Sequence, residues 1–285
     1  MTIHTITVLG AGIMGRGIAY VSALGGHPTI LQDTSQPALD QALGEITAVL
    51  EKGVATGKVP EEAAVAARKR ISTTRSLEEA AREADLVIEA VPENIDIKVE
   101  LFATLDRVAR PAAILASNTS SLSITEMAAA TQRPQQVVGM HFFNPVHRMK
   151  LLEVVRALET SDDTIAAALL VGEKMGRECV VVRESPGFVT SRINAMIGNE
   201  AFYMLQEGVA SARDIDKALK LGLNHPMGPF ELVDLVGLDT RLSILKFLHR
   251  TLGETFRPCT LMEQYVAAGR LGRKSGRGVY EYPES

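Results

Sequence analysis

With 285 residues, 46% of them hydrophobic, the chain has material for more than one core and is expected to form two domains. No apolar run approaches the roughly 18 residues of a membrane span, and a net charge of −4 without like-charge blocks points away from nucleic acid and anionic membranes. Cys179 and Cys259 match no metal or redox spacing, so no metal site is expected. Thr2 to Leu9 leads straight into a strand without a basic-then-apolar leader, and a reducing cytoplasm is the expected location.

The first element is Thr5-Ile-Thr-Val-Leu9, a β-branched segment that reads as a buried strand. It runs into Gly10-Ala11-Gly12-Ile13-Met14-Gly15, after which Ile18, Ala19, Val21, Ser22 and Leu24 predict a small-residue helix suited to packing on a sheet. A second apolar run, Pro28-Thr-Ile-Leu31, closes on Asp33. A GxGxxG pattern alone says little, but strand before, helix after and an acid downstream specify a dinucleotide site. Gly10 permits the tight turn, Gly12 lets backbone approach a pyrophosphate, and Gly15 lets helix and strand pack closely. Ile13 and Met14 open the helix whose N–H groups would face the phosphates, and Asp33 would accept from the adenosine ribose. The expected cofactor is NAD.

Downstream, strand-like and helix-like segments alternate, as in a parallel sheet wrapped by helices. A helix is predicted over about Gln36 to Thr56, a strand at Ile71–Thr74, and a short helix from Ser76 to Glu83. The strand Asp85–Val91 and an amphipathic helix from about Ile95 to Ala109 follow. Next come the strand Ala113–Ser117, a capping box at Ser123-Ile-Thr-Glu126, and strands at Val137–His141 and Leu151–Val155. A helix from Thr164 to Met175 and a strand from Cys179 to Arg183 complete the series. Arg68-Lys69-Arg70 reads as a solvated helix end. At Glu184-Ser-Pro-Gly187 the alternation stops, and the rest is helical to about Phe256. The expected architecture is a doubly wound Rossmann-type α/β domain over 1–184 and an all-α C-terminal domain over 185–285.

In open α/β sheets ligands bind beyond the carboxyl ends of the strands. The polar clusters at those ends are Pro92-Glu93-Asn94 with Lys98, Asn118-Thr-Ser120-Ser121, and His141-Phe-Phe-Asn144-Pro145. Glu153 lies in the apolar strand Leu151-Leu-Glu-Val-Val155, where a carboxylate is costly unless paired. A histidine on one strand and a buried glutamate on the next can meet across a sheet. The carboxylate would then fix one ring N–H and present the other nitrogen for proton transfer.

With these residues in view the chain resembles the short-chain 3-hydroxyacyl-CoA dehydrogenase family along essentially its whole length. The resemblance rests on Gly10–Gly15, Glu89-Ala-Val-Pro-Glu93 with Lys98, Ser117–Leu122, His141–Pro145 and Met149–Val154. It continues through Pro186-Gly-Phe-Val189, Gly222–Pro229 and Gly272–Gly278. It implies interconversion of L-3-hydroxyacyl-CoA and 3-ketoacyl-CoA with NAD. His141 would be the general acid/base and Glu153 its partner, with Ser120 and Asn144 contacting substrate or supporting the histidine. Glu93, Lys98, Asn118 and Lys274 would line the nicotinamide nucleotide. The helical domain of that family closes over substrate and forms a two-fold dimer. Two positions depart from the pattern: Ser191 stands where many members carry an active-site asparagine, and the helix from Gln36 is thin in positive charge for CoA phosphates. The candidates before the Ile71 strand are Lys52 and Lys58, then Arg68-Lys-Arg70. Two other readings keep the scaffold: a dehydrogenase of a free hydroxy acid, as in gulonate dehydrogenases, and a cofactor-binding protein without catalysis.

Overall fold

The computed structural model describes residues 2–283 and divides into two compact units, Met1–Ser185 and Pro186–Ser285. In the first unit the elements run β1 (Ile6–Leu9), α1 (Ile13–Leu24), β2 (Thr29–Gln32), α2 (Gln36–Ala55), α3 (Glu61–Arg70), β3 (Ile71–Thr74), α4 (Leu77–Glu83) and β4 (Leu86–Glu89). They continue with α5 (Ile95–Val108), β5 (Ile114–Ser117), α6 (Ile124–Ala129), β6 (Val137–Phe142), β7 (Leu151–Arg156), α7 (Asp162–Lys174) and β8 (Glu178–Arg183). The strands form one sheet in the order β3-β2-β1-β4-β5-β6-β7-β8. All neighbouring pairs are parallel except β6 and β7.

The strands read as apolar runs because helices cover both faces. Every residue of β1, β4, β5 and β6 is buried. Side chains fix where the helices start: Ser35, Ser76, Asn94, Ser123 and Ser161 each accept from a backbone N–H of the first turn. Ser161 starts α7 two residues earlier than the apolar period suggests. Of helix α3 the sequence marks only the end, Arg68-Lys69-Arg70, which does form its last turn. The helix buries only Ala64 and Ala67, and its charged remainder leaves no amphipathic stripe to read.

The chain reverses direction across the sheet at β1, which has β2 on one side and β4 on the other. That topological switch point is where α/β sheets hold dinucleotides. Registers align the carboxyl ends of β2, β1, β4 and β5, where Gln32, Leu9, Glu89 and Ser117 are successive cross-strand partners, and Ser117 pairs with Gly139 within β6.

The second unit is helical: α8 (Thr190–Gln206), α9 (Ala212–Gly222), α10 (Pro229–Val236), α11 (Leu238–Leu252) and α12 (Thr260–Ala267). Phe202, Phe230, Leu238, Leu245 and Met262 are among its buried core, with Phe202 and Phe230 edge to face at 5.2 Å. The long helical run is cut by left-handed residues, Gly208 (φ 71°), Asn224 (φ 55°) and Gly237 (φ 105°). α12 lies beyond the expected end of the helical region. Two buried carboxylates tie the C-terminal strip down. Asp216 accepts from Tyr280 Oη, and Asp234 accepts from Val279 N, Tyr280 N and Tyr282 Oη. Burial and the bond to Asp234 push the Tyr282 hydroxyl up to about 12. Among the described residues no helix is long and apolar enough to cross a membrane.

Candidate active site

The glycine-rich turn separates two kinds of need. Gly10 has φ 96°, and a Cβ there would sit 2.7 Å from the Ala90 carbonyl oxygen. A Cβ on Gly15 would fall 1.7 Å from the Gly10 carbonyl oxygen. Both glycines are demanded by the chain's own packing. Gly12 is not: a Cβ there meets nothing within 4 Å. The space in front of it, at the start of α1 and beside exposed Ile13, is where an anionic ligand would lie against helix N–H groups. Asp33, just past β2, accepts from Ala11 N at 2.8 Å and from Ser35 N at 2.9 Å. Its carboxylate thus ties the glycine turn to the start of α2, with lone pairs left for ribose hydroxyls.

At the ends of β4 and β5 lies a buried ionic cluster. Glu89 is fully buried, its Oε1 accepting from Lys98 Nζ at 2.6 Å and Val91 N at 2.7 Å, its Oε2 from Ser117 Oγ at 2.6 Å. Lys98, on α5 and 1% exposed, also pairs with Glu93 Oε2 at 3.1 Å. Glu93 Oε1 accepts from Thr119 Oγ1 at 2.6 Å, Ser120 N at 3.0 Å and Ser120 Oγ at 3.4 Å. Glu93, Lys98 and Ser120 are therefore gathered together, with the Lys98 ammonium spent between two carboxylates. Glu89 and Ser117 are functional candidates that the reading by role passed over. The signal was present, since Glu89 is a carboxylate ending an apolar strand, the same anomaly that singles out Glu153.

His141 and Glu153 are direct cross-strand partners in the antiparallel pair β6–β7. His141 Nδ1 lies 2.7 Å from Glu153 Oε2, with Glu153 fully buried and His141 6% exposed. The His141 ring packs on Phe143 at 4.4 Å between centroids. Asn118 Oδ1 accepts from Phe142 N at 2.9 Å, locking the end of β5 to the end of β6 next to the histidine. Asn144 lines a cavity of about 190 Å³ with Arg16 and Tyr20 of α1, Glu45 of α2, and His147. Arg16 and Glu45 are paired there at 2.6 Å. Burial holds the His147 imidazole below its ordinary value, and the positive charges of Arg148, Lys52 and Lys58 push the same way. Exposed Lys52 therefore acts electrostatically on a residue of this cavity.

In the helical unit, Ser191 occupies the first turn of α8. The chain reaches it through two left-handed residues, Gly187 (φ 73°) and buried Phe188 (φ 48°). For phenylalanine that conformation costs about 1–3 kcal/mol. Lys274 pairs with Asp239 at 2.6 Å, both in this unit. Burial alone would raise the Asp239 carboxyl, but the bond and charge of Lys274 together with backbone N–H groups of Thr240 and Asp239 outweigh it, and the net displacement is downward.

Residues 5–185 match the NAD-binding domain of 3-hydroxyacyl-CoA dehydrogenase, and residues 187–282 match the C-terminal domain of the same enzyme. The chain belongs to the 3-hydroxyacyl-CoA dehydrogenase family. Among curated relatives, a probable 3-hydroxybutyryl-CoA dehydrogenase of Bacillus subtilis is 50% identical over 285 residues, covering 100% of this chain and 99% of the relative. The mitochondrial hydroxyacyl-coenzyme A dehydrogenase of Sus scrofa is 40% identical over 97% of this chain and 90% of its own length. Among solved structures, the (S)-3-hydroxybutyryl-CoA dehydrogenase of Ralstonia eutropha superposes with a TM-score of 0.96 at 42% identity, covering 99% of this chain and 100% of that one. A 3-hydroxyacyl-CoA dehydrogenase needs a dinucleotide cleft and a proton-transfer group. The first unit contains the open space before Gly12 and the His141–Glu153 pair.

Proposed function

We propose that the chain interconverts (S)-3-hydroxyacyl-CoA and 3-ketoacyl-CoA, with 3-hydroxybutyryl-CoA as its short-chain substrate and His141 as general acid/base. One observation carries this reading: a buried histidine at the carboxyl edge of a dinucleotide-binding sheet, paired at 2.7 Å with a fully buried glutamate. Bound NAD supplies the hydride acceptor. Glu153 accepts the Nδ1 hydrogen, so Nε2 is the nitrogen that takes the C3 hydroxyl proton as the C3 hydride leaves and the carbonyl forms. The negative charge of Glu153 then stabilises the imidazolium, and reduction runs the same transfers backwards. The Ser120 hydroxyl and the Asn144 carboxamide hold the reacting oxygen and the thioester chain. Asn118 sets the end of β6, and Glu93 reaches the nicotinamide ribose. Lys98, sealed between carboxylates, serves by holding Glu93. Lys52 and Lys58 meet the CoA phosphates beside the cavity at His147. Ser191 is a substrate contact and Lys274 a cofactor contact, and in their helical unit exposed Leu221, Leu223, Leu235 and Val236 supply apolar surface for a homodimer. The enzyme works in the cytoplasm.

NADH oxidation on adding acetoacetyl-CoA, compared with free acetoacetate, tests this reading. Turnover confined to the thioester is expected. Turnover confined to the free acid would place the chain with the hydroxy-acid dehydrogenases, and no turnover with either would make it a binding protein.

Two expectations concern the cofactor. Asp33 favours NAD over NADP, because its carboxylate repels a 2′-phosphate and Thr34, Ser35 and Gln36 offer no arginine to pair one. An equal or better kcat/KM with NADPH would contradict this. Gly12→Ala should unfold at the wild-type denaturant midpoint, since its Cβ meets only open space. Its Kd for NADH should rise at least about tenfold, roughly 1.4 kcal/mol. Gly15→Ala should lower both stability and affinity. A Gly12→Ala protein that binds NADH normally would show that the cofactor does not approach there.

A further inference from the structure

Glu89 is fully buried and joined by a chain of three contacts, through Lys98 and Glu93, to the serine that is to hold substrate. Its Oε1 takes Lys98 Nζ at 2.6 Å, Lys98 takes Glu93 Oε2 at 3.1 Å, and the other Glu93 oxygen takes the Ser120 amide at 3.0 Å. A buried ion pair such as Glu89–Lys98 is often no more stabilising than well-packed apolar side chains of similar volume. A need for stability alone does not explain it. The geometry of the last link does. The Ser120 amide is bound firmly, fixing the backbone, while the Ser120 hydroxyl is only loosely engaged at 3.4 Å and can turn to another acceptor. That balance depends on where Glu93 stands, and Lys98, pulled the other way by Glu89, sets it.

We propose that Glu89 is a positioning residue for the reaction: through Lys98 it holds the Glu93 carboxylate at the distance that fixes the Ser120 backbone and leaves its hydroxyl available to the C3 oxygen. This rests on the dehydrogenase reading above. Without the charge of Glu89, the Lys98 ammonium keeps Glu93 as its one counter-charge among the described residues and draws it off the Ser120 turn. Glu89→Gln tests charge rather than shape. Its amide keeps an acceptor for Lys98 and Val91, and its NH₂ donates to Ser117 Oγ, whose hydroxyl can rotate to accept.

The experiment is a double-mutant cycle of Glu89→Gln with Ser120→Ala, read in acetoacetyl-CoA reduction, alongside amide hydrogen exchange on the protein without ligands. Glu89→Gln should lower kcat at least about tenfold in the Ser120 background and less than about twofold in the Ser120→Ala background, because coupled residues are not additive. Exchange at the Ser120 amide should quicken at least about fivefold while the amides inside β4 and β5 keep their protection. Glu89→Gln combined with Lys98→Met removes both charges. It should recover the denaturant midpoint without recovering kcat. Equal losses in both backgrounds, an unchanged Ser120 amide, or recovery of kcat in the charge-free pair would overturn the relay while leaving the dehydrogenase reading intact. An unsubstituted chain inert toward acetoacetyl-CoA would overturn both.

Discussion

His141→Gln should lower kcat for acetoacetyl-CoA reduction at least about a hundredfold, since a positioned general acid is typically worth 10²–10⁴. Glutamine matches imidazole in reach and can donate its amide hydrogen to Glu153, so the buried carboxylate keeps a partner and the sheet its packing. What it lacks is a second nitrogen able to carry a proton. The Kd for NADH should stay near the wild-type value, because the dinucleotide turn at Gly10–Gly15 follows β1, whereas His141 lies on β6. A loss that fell on KM or on NADH binding with kcat preserved would remove His141 from the proton transfer.

Glu153→Gln should act through the same step. The carboxamide oxygen still accepts from Nδ1, so the ring stays oriented, but the negative charge that favours the imidazolium is gone. A unit charge about 4 Å away is worth up to about 4 kcal/mol at an effective dielectric near 20. A fall in kcat between about tenfold and several hundredfold is therefore expected. The two side chains work as one unit, so His141→Gln/Glu153→Gln should be little slower than His141→Gln alone. Losses that multiplied in the double variant would give Glu153 a separate task, such as holding β6 to β7. Circular dichroism and the denaturant midpoint distinguish that case, since a structural glutamate would lower stability whichever residue stood at 141.

Several features of this site are legible without coordinates because the physics is local. A glycine turn must sit between strand and helix to work, and the sequence around Gly10–Gly15 spells out all three parts. Glu153 stands out because a carboxylate in an apolar strand must find a partner, and His141 on the preceding strand is within reach of an antiparallel pairing. What escapes such reading is either weakly patterned or long-range. Helix α3 buries two alanines and nothing larger, so its period is too faint to detect. The role of Glu89 depends on Lys98 arriving from the next helix and Ser117 from the next strand. The paired states of Lys98 and Lys274 are of the same kind. Lys98 is bonded to Glu89 and Glu93 and Lys274 to Asp239, partners that no local pattern around either lysine announces.

A single-turnover experiment goes straight to the chemical step. The enzyme–NADH complex is mixed with excess acetoacetyl-CoA, and both the absorbance of NADH and the configuration of the product are followed. Wild-type enzyme should consume one equivalent of NADH in a single phase and release (S)-3-hydroxybutyryl-CoA, with that phase slowed at least about a hundredfold in His141→Gln. The same phase at an unchanged rate in His141→Gln, or a wild-type complex that leaves NADH untouched, would contradict proton transfer by His141 to a 3-ketoacyl-CoA.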